Sequence, residues 1–382
     1  MKIMLSVGEA SGDMHGASVA NALKILQPDI ELFGMGGKAM RSAGVRVDYD
    51  ITTQGIMGIV EVIKNLGKLF KLRDDLVALM EKERPDALVV IDYPDFNMRL
   101  AKIAKAKGIP VVSYISPSAW AWRRGRAKDV AGTVDKVAAI FPFEAEVYQE
   151  AGADVTFVGH PLLDIVQPAL TKEEAYRHFT ADPTRPVILL MPGSRQQEIM
   201  KLLPSMLGAC QEISRTLPDC QFFLPVASTI SREILQNIID SYQIPVNLTS
   251  EYTYDLMGIA DVAIAASGTA TLETSLMGTP TVIIYKTAAL TYLLGKLLVK
   301  IPNIGLPNII AGRRIVPELL QNDANPQAIA RETLTLLMDK QAQDTVKAGL
   351  AEVKESLGRT GAVQRVAEVI LEVASTAKII AR

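Results

Sequence analysis

Short apolar runs alternate with longer segments of helical period along most of the chain. Ile3–Val7, Ala87–Asp92, Pro110–Ser116 and Lys136–Pro142 are runs of buried-strand type, bounded by Gly, Pro or polar residues. Amphipathic segments lie between them, and Val155–Gly159 closes this first half. Residues 162–185 break the rhythm with prolines and charges and leave room for one short helix. The alternation restarts with Pro186–Met191, Gln221–Val226, Val246–Thr249, Asp261–Ala266 and Thr281–Tyr285. Beyond residue 325 the pattern is helical, in PQAIARETLTLLMDK and VQRVAEVILEVA. Strands alternating with helices predict parallel sheets covered on both faces. Two doubly wound α/β domains in tandem are therefore predicted. The first spans residues 1–165, a connection covers 166–185, and the second domain spans 186–345. Terminal helices over 346–382 are expected to pack back on the first domain.

The 382 residues fit two domains at roughly 100–200 residues each. A hydrophobic fraction of 49% with 21% charged residues is globular and rules out wholesale disorder. Forty Lys+Arg against 42 Asp+Glu leave a formal net charge of -2, so no basic stripe for nucleic acid is expected. Two cysteines, Cys210 and Cys220, and three histidines, His15, His160 and His178, argue against a disulfide framework, a zinc cluster or any metal site. The N-terminal MKIMLSVGEASGD reads as a first strand and not as a secretory signal, so a cytoplasmic protein is expected. No uncharged apolar stretch reaches the about 18 residues of a spanning helix. The mean hydropathy of +0.20 is nonetheless high, which predicts apolar surface turned toward a partner, a lipid or a membrane.

Ligands of open α/β sheets bind beyond the carboxyl ends of the strands, so the loops after strands carry the chemistry. The first such loop is GEASGDMHG, Gly8–Gly16, with a helix expected from near His15. Either Ser11 or Asp13 caps that helix, or the loop forms a backbone-lined substrate wall. It lacks both the dinucleotide glycine spacing and the Walker lysine. The next, IDYPDFN, places Asp92 at a strand end, where a carboxylate can take a proton from an attacking hydroxyl. Asp95 is then expected to cap a helix starting near Asn97. SPSAWAWRRGRAKD holds both tryptophans and three arginines, as a basic surface helix or as a wall contacting an acidic group. In the second half, Pro192-Gly193-Ser194-Arg195 joins a strand to a helix N-terminus, an anion-binding arrangement with a fixed charge added. Ser267, Gly268, Thr269 and Ala270 repeat that arrangement, and Glu273 reads as an acceptor for a ribose diol. Ser267 as a plain N-cap is the competing reading. Two phosphate-type loops in one domain favour a nucleotide-diphosphate ligand.

GEASGD, IMGIVEV, IDYPDFN, SPSAWAWR, FPFE, MPGSR, SGTATLE and LPNIIAGR occur in this order. Together they closely resemble the lipid-A-disaccharide synthase family of inverting GT-B glycosyltransferases, over about residues 2–320 and more weakly beyond. The resemblance implies two Rossmann-like domains facing a cleft, with the donor nucleotide in the C-terminal one and the acceptor and membrane on the N-terminal one. It implies condensation of UDP-2,3-diacylglucosamine with 2,3-diacylglucosamine 1-phosphate (lipid X), giving a β-1′,6-linked disaccharide 1-phosphate and UDP. No cofactor or metal is expected. The place implied is the cytoplasmic face of the inner membrane, as a peripheral protein, and a homodimer, swapped or not, is allowed. Tyr93 departs from the common family form, which has a small residue there.

On this resemblance Arg195 and the Ser267–Ala270 amides hold the pyrophosphate, Glu273 binds the ribose, and Asn308 of LPNIIAGR lines the same pocket. Asp92 acts as base, with Glu9, Asp13 and His15 as alternative bases or sugar ligands. Acylated substrates must be drawn from a bilayer. In Met57–Leu72, Ile59, Ile63, Leu66 and Phe70 share one face, and Lys64, Lys68 and Lys71 another, which suits an anionic interface. An ordinary helix with its apolar side on the core is the alternative there. Trp120 and Arg123 are further acceptor contacts, and Leu290–Ile301 is a second lipid-facing candidate. The rival readings are another UDP-sugar enzyme of this architecture, a 2-epimerase or a transferase with a different lipid acceptor, and a non-catalytic nucleotide- or lipid-binding protein.

Overall fold

A computed structural model describes residues 1–51, 66–117, 124–227, 229–287 and 303–380. The chain forms two compact units, Met1–Pro161 with Leu357–Arg382, and Leu162–Ser356.

Unit 1 is built on seven strands: β1 (Lys2–Val7), β2 (Glu31–Gly36), β3 (Arg46–Asp50), β4 (Ala87–Ile91), β5 (Val111–Tyr114), β6 (Lys136–Ala139) and β7 (Val155–Phe157). They are parallel, in the order β3-β2-β1-β4-β5-β6-β7. β4 is buried along its whole length, as a central parallel strand covered on both faces must be. One face carries Met4, Leu88 and Val90 against Leu72, Leu76 and Met80 of the helix Leu66–Glu83. The last helix, Ala362–Ile380, packs on the helix Ala10–Leu26 and on β4, β5 and β6. Arg365 fastens that segment: its Nε donates to Val158 O at 2.8 Å and its Nη2 to Arg359 O at 2.6 Å.

Unit 2 carries β8 (Val187–Met191), β9 (Gln221–Pro225), β10 (Val246–Thr249), β11 (Val262–Ala266), β12 (Thr281–Tyr285) and β13 (Glu318–Leu320). All are parallel, in the order β10-β9-β8-β11-β12-β13. The predicted connection is part of this unit. Its one helix, Lys172–His178, is closed by a capping box between Thr171 and Glu174, and Ala175 packs with Leu189 and Leu256. The terminal helical stretch divides. Lys340–Ser356 stays in unit 2, and only the segment from Leu357 joins unit 1.

Each sheet reverses its winding once, between β1 and β4 in unit 1 and between β8 and β11 in unit 2. The registers bring the paired strands to an end together, Val7 beside Ile91 and Met191 beside Ala265. The loops that follow therefore emerge side by side at a crevice, where open α/β sheets bind ligands.

Candidate functional site

In unit 2 the loops after β8 and β11 line a cavity of about 550 Å³. Gly193, Ser194 and Arg195 form one wall, and Ser267, Gly268, Thr269, Ala270 and Glu273 the other. Pro225–Ala227, Thr253 and Glu198 complete it, none of which the sequence reading singled out. Gly268 is the N-cap of the helix Thr269–Leu276, so the competing reading of Ser267 as the cap does not hold. Ser267 instead donates its hydroxyl to Ile304 O at 3.1 Å. The first backbone N–H groups of a helix have no partner within it. Thr269 and Ala270, at the start of that helix, line the cavity, as does Arg195, the N-cap of Gln196–Thr216. Burial raises the carboxyl pKa of Glu273, and a hydrogen bond from Tyr254 Oη at 3.4 Å partly opposes the rise. The Tyr254 phenol is itself pushed up to about 12, by burial and then by the Glu273 charge.

Asn308 is not among the described residues that line this cavity. Its side chain is fully buried. Oδ1 accepts from the amides of Ile315 at 2.7 Å and Val316 at 2.9 Å. Nδ2 donates to Val316 O at 3.0 Å and Glu318 Oε1 at 2.7 Å. A carboxamide makes about four such bonds, so this one is filled by the protein itself. Glu318, which the sequence did not flag, also accepts from the amides of Ile304 and Gly305, both at 3.0 Å. Asn308 and Glu318 together hold the loop against which Ser267 rests.

In unit 1 the helix after β1 begins at Ala10, not near His15, and its N-cap Glu9 makes no side-chain cap bond. Neither Ser11 nor Asp13 caps it. Asp13 is buried and caps the next helix instead, accepting from the amides of Gly37 at 2.7 Å, Ala39 at 2.8 Å and Met40 at 3.1 Å. Three amide donors hold this carboxylate. The helix after β4 begins at Pro94, earlier than expected. Asp95 makes no cap bond there and pairs with Arg126 at 2.6 Å on the surface. Asp92 and Tyr93 both adopt left-handed backbone, with φ of 53° and 50°. Residues other than glycine rarely hold that conformation unless their surroundings impose it. Here Asp92 N donates to Tyr114 O at 3.3 Å, and Asp92 O accepts from Asn97 Nδ2 at 2.7 Å. Asn97 is fully buried, and its Oδ1 also takes the Ser6 hydroxyl at 2.7 Å, tying β1 to β4. The Tyr93 ring lies flat on Gly8, where a Cβ would stand 2.1 Å from the ring carbons, so only glycine allows the approach.

His15 stands edge-on to Tyr114, with ring centroids 6.2 Å apart. Burial lowers its pKa, and the nearby Asp92 charge pulls the other way. His160 follows β7 and packs on Phe141 at 4.9 Å. Burial, then the neighbouring His15, pushes it down to about 3, so it is neutral at pH 7. Asp92, His15 and His160 thus share one end of the unit 1 sheet. The position of His160 directly after a strand was the signal for it. Glu9 is exposed beside Tyr93, and its charge helps raise that phenol's pKa, after burial. Among the described residues no three His, Cys, Asp or Glu side chains gather as a metal-ligand group. Ile59, Ile63, Trp120 and Arg123, the side chain of Leu66, and the stretch Leu290–Ile301 lie outside what is described. Phe70 is 44% exposed, with the Arg73 guanidinium 5.2 Å from its ring centroid, and Lys68 and Lys71 are exposed beside it.

Comparison with known proteins agrees with this geometry. The family model described as lipid-A-disaccharide synthetase matches residues 3–372. A lipid-A-disaccharide synthase of Geobacter sulfurreducens is 45% identical over 371 residues, covering 97% of each chain. That of Coxiella burnetii is 42% identical over 368 residues, covering 96% of this chain and 97% of the relative. Among solved structures, a putative UDP-N-acetylglucosamine 2-epimerase from Listeria monocytogenes superposes with a TM-score of 0.66 at 13% identity, covering 97% of this chain and 95% of that one. MurG of Acinetobacter baumannii gives 0.61 at 15%, covering 97% and 99%. At such identities the two structures speak to the fold alone, which is the GT-B arrangement of paired Rossmann-like domains.

Proposed function

The chain belongs to the lipid-A-disaccharide synthase family and is a glycosyltransferase, and from that premise we propose how its residues divide the work. The reaction is transfer of the diacylglucosaminyl group of UDP-2,3-diacylglucosamine to the 6-hydroxyl of 2,3-diacylglucosamine 1-phosphate, with inversion. The observation that carries the donor half is the unit 2 cavity, lined by two strand-to-helix loops, an arginine and two carboxylates, Glu198 and Glu273. Backbone amides after Gly193 and Gly268 and the Arg195 guanidinium hold the diphosphate. They stabilise the charge that grows on UDP as the glycosidic C–O bond breaks. Glu273 takes the ribose diol.

Asp92 is the base. Its carboxylate accepts the proton of the attacking 6-hydroxyl as the oxygen bonds to the anomeric carbon and UDP departs from the opposite face. One base and one stabilised leaving group suffice for a single in-line displacement. His15 stands near Asp92, and His160 beside His15. Glu9 remains a sugar ligand at the rim, and Asn308 and Asp13 are assigned to the scaffold.

Among the described residues no helix is long and apolar enough to cross a membrane. Exposed Phe70, flanked by Lys68 and Lys71, supports peripheral contact with the inner face of the inner membrane at the start of its helix. Leu72, Leu76 and Met80 turn the rest of that helix to the core. A homodimer belongs to the same proposal. The deciding experiment is UDP release from UDP-2,3-diacylglucosamine in detergent, with and without lipid X. Release that requires lipid X, with a disaccharide 1-phosphate by mass, establishes the reading. Binding of the nucleotide sugar without release refutes it in favour of another acceptor or a binding protein.

A further inference from the structure

Glu198 carries a charge of the wrong sign for the cavity it lines. The loop after β8 passes through Gly193 at a φ of +107°, and a Cβ built there would stand 2.5 Å from Glu198 Oε2. One carboxylate oxygen therefore lies against the bare backbone of the proposed diphosphate loop. The other accepts from Arg195 Nη1 at 3.0 Å. Glu198 is also the third residue of the helix Gln196–Thr216, where the helix end favours an anion. Loop backbone, helix N-terminus and arginine are the same three features that a diphosphate would use.

We infer that Glu198 is a resident stand-in for the diphosphate, which a nucleoside diphosphate must displace in order to bind and which helps expel it afterwards. The inference rests on the donor reading above. The exposure of the pair makes displacement feasible. The Arg195 side chain is 81% exposed and that of Glu198 34%, and ion pairs this open to water hold weakly. A diphosphate brings more than one negative charge and can engage the planar guanidinium through two oxygens at once. It therefore outcompetes a single tethered carboxylate, whereas a monoanion has little advantage over it. Glu198 thus filters ligands by phosphate number. Once transfer has freed UDP, the displaced carboxylate remains tethered nearby and repels the product.

The test compares full-length wild type with Glu198→Gln, by calorimetric titration with uridine, UMP, UDP and inorganic diphosphate. The expected gain in affinity grows with phosphate number: none for uridine, small for UMP, and fivefold or more for UDP and inorganic diphosphate. Product inhibition by UDP should deepen by a similar factor in turnover assays. Glu198→Ala, which removes the charge without leaving an amide, should give the same order and covers a folding failure of the glutamine variant. Unchanged or weaker UDP binding in the variants overturns the inference, as does an equal gain for uridine. UDP binding that tightens in the variants, without any UDP release from the nucleotide sugar in the presence of lipid X, would sink the transferase reading and leave this inference standing. Binding of neither anion by any form removes the subsite and overturns both.

Discussion

Replacing Asn308 by Ala separates its two candidate roles. As a ligand contact, the side chain could be lost with little change in folding. As the brace seen here, its loss strips the acceptor from the amides of Ile315 and Val316 and a donor from Glu318. Leaving a buried backbone amide unsatisfied costs about 1–3 kcal/mol, so two such amides cost about 2–6 kcal/mol. A domain has only about 5–15 kcal/mol in all. At about 2–4 °C per kcal/mol for a unit of this size, the melting transition of unit 2 should fall by about 4–24 °C. Differential scanning calorimetry measures that. Hydrogen exchange should show loss of protection centred on residues 304–318, where Glu318 and Asn308 hold the loop. At a temperature where the variant is folded, its UDP affinity should stay within a few-fold of wild type. A variant with an unaltered transition but a tenfold or greater loss of UDP affinity would refute the brace and restore Asn308 to the ligand.

The remaining predictions concern the two carboxylates of the proposed chemistry and one buried carboxyl that takes no part in it. Asp92→Asn and Asp92→Ala should each lower kcat by about 10²–10⁴-fold without moving the melting transition, since a general base contributes on that scale; near-normal turnover in both removes Asp92 as the base. Glu273 must be ionised to accept from a ribose diol, and burial raises its pKa. UDP affinity should therefore weaken as pH falls, starting at a higher pH than an ordinary carboxylate would allow. Glu273→Gln should bind more weakly and lack that pH step, and an identical profile in wild type and variant would contradict the ribose role. Glu144, buried at the start of the helix Pro142–Glu150, is pushed up to about 7 by burial, although it accepts from the amide of Ile140 at 3.1 Å. With the folded pKa above the unfolded one, its favourable contribution is complete below about pH 4.5 and disappears as pH rises through 7. Glu144→Gln should then be more stable than wild type at pH 8, by about 1–3 kcal/mol, with the advantage shrinking toward pH 5. Urea unfolding at the two pH values decides it.

Legibility in the sequence followed the strength of the local signal. β1, β4, β8 and β11 are near-continuous apolar runs bounded by turn residues, and buried parallel strands leave that trace. β2 is interrupted by Gly34 and Gly36, β3 is an edge strand of alternating charge, and β13 has only three residues. None of these three was visible as a strand. The cavity residues of unit 2 were legible because a strand, a small loop and a helix start leave a pattern within ten residues. Asn308 and Asp13 were read as chemical groups because a polar residue in a strong motif looks the same whether it faces ligand or scaffold. Their partners, at 315–318 and 37–40, are neighbours only after folding. Helix starts at Ala10 and Pro94 were missed by a few residues because neither carries a side-chain cap.

The return of Leu357–Arg382 to unit 1 makes unit 2 a topological insertion within a discontinuous domain. On the ribosome, residues 1–161 emerge first but lack the helix that covers the Ala10–Leu26 face and β4–β6. They must wait for residues 362–380 to be synthesised, while unit 2, contiguous in sequence, is complete before them. The Arg365 fastening to Val158 spans 207 positions, so unit 1 carries the loop-closure cost and the slow contacts. A stop codon or proteolytic cut before residue 357 would leave the inserted domain whole and strip its host of a wall. The segment from Leu357 onward is thus a structural part of the domain formed by residues 1–161.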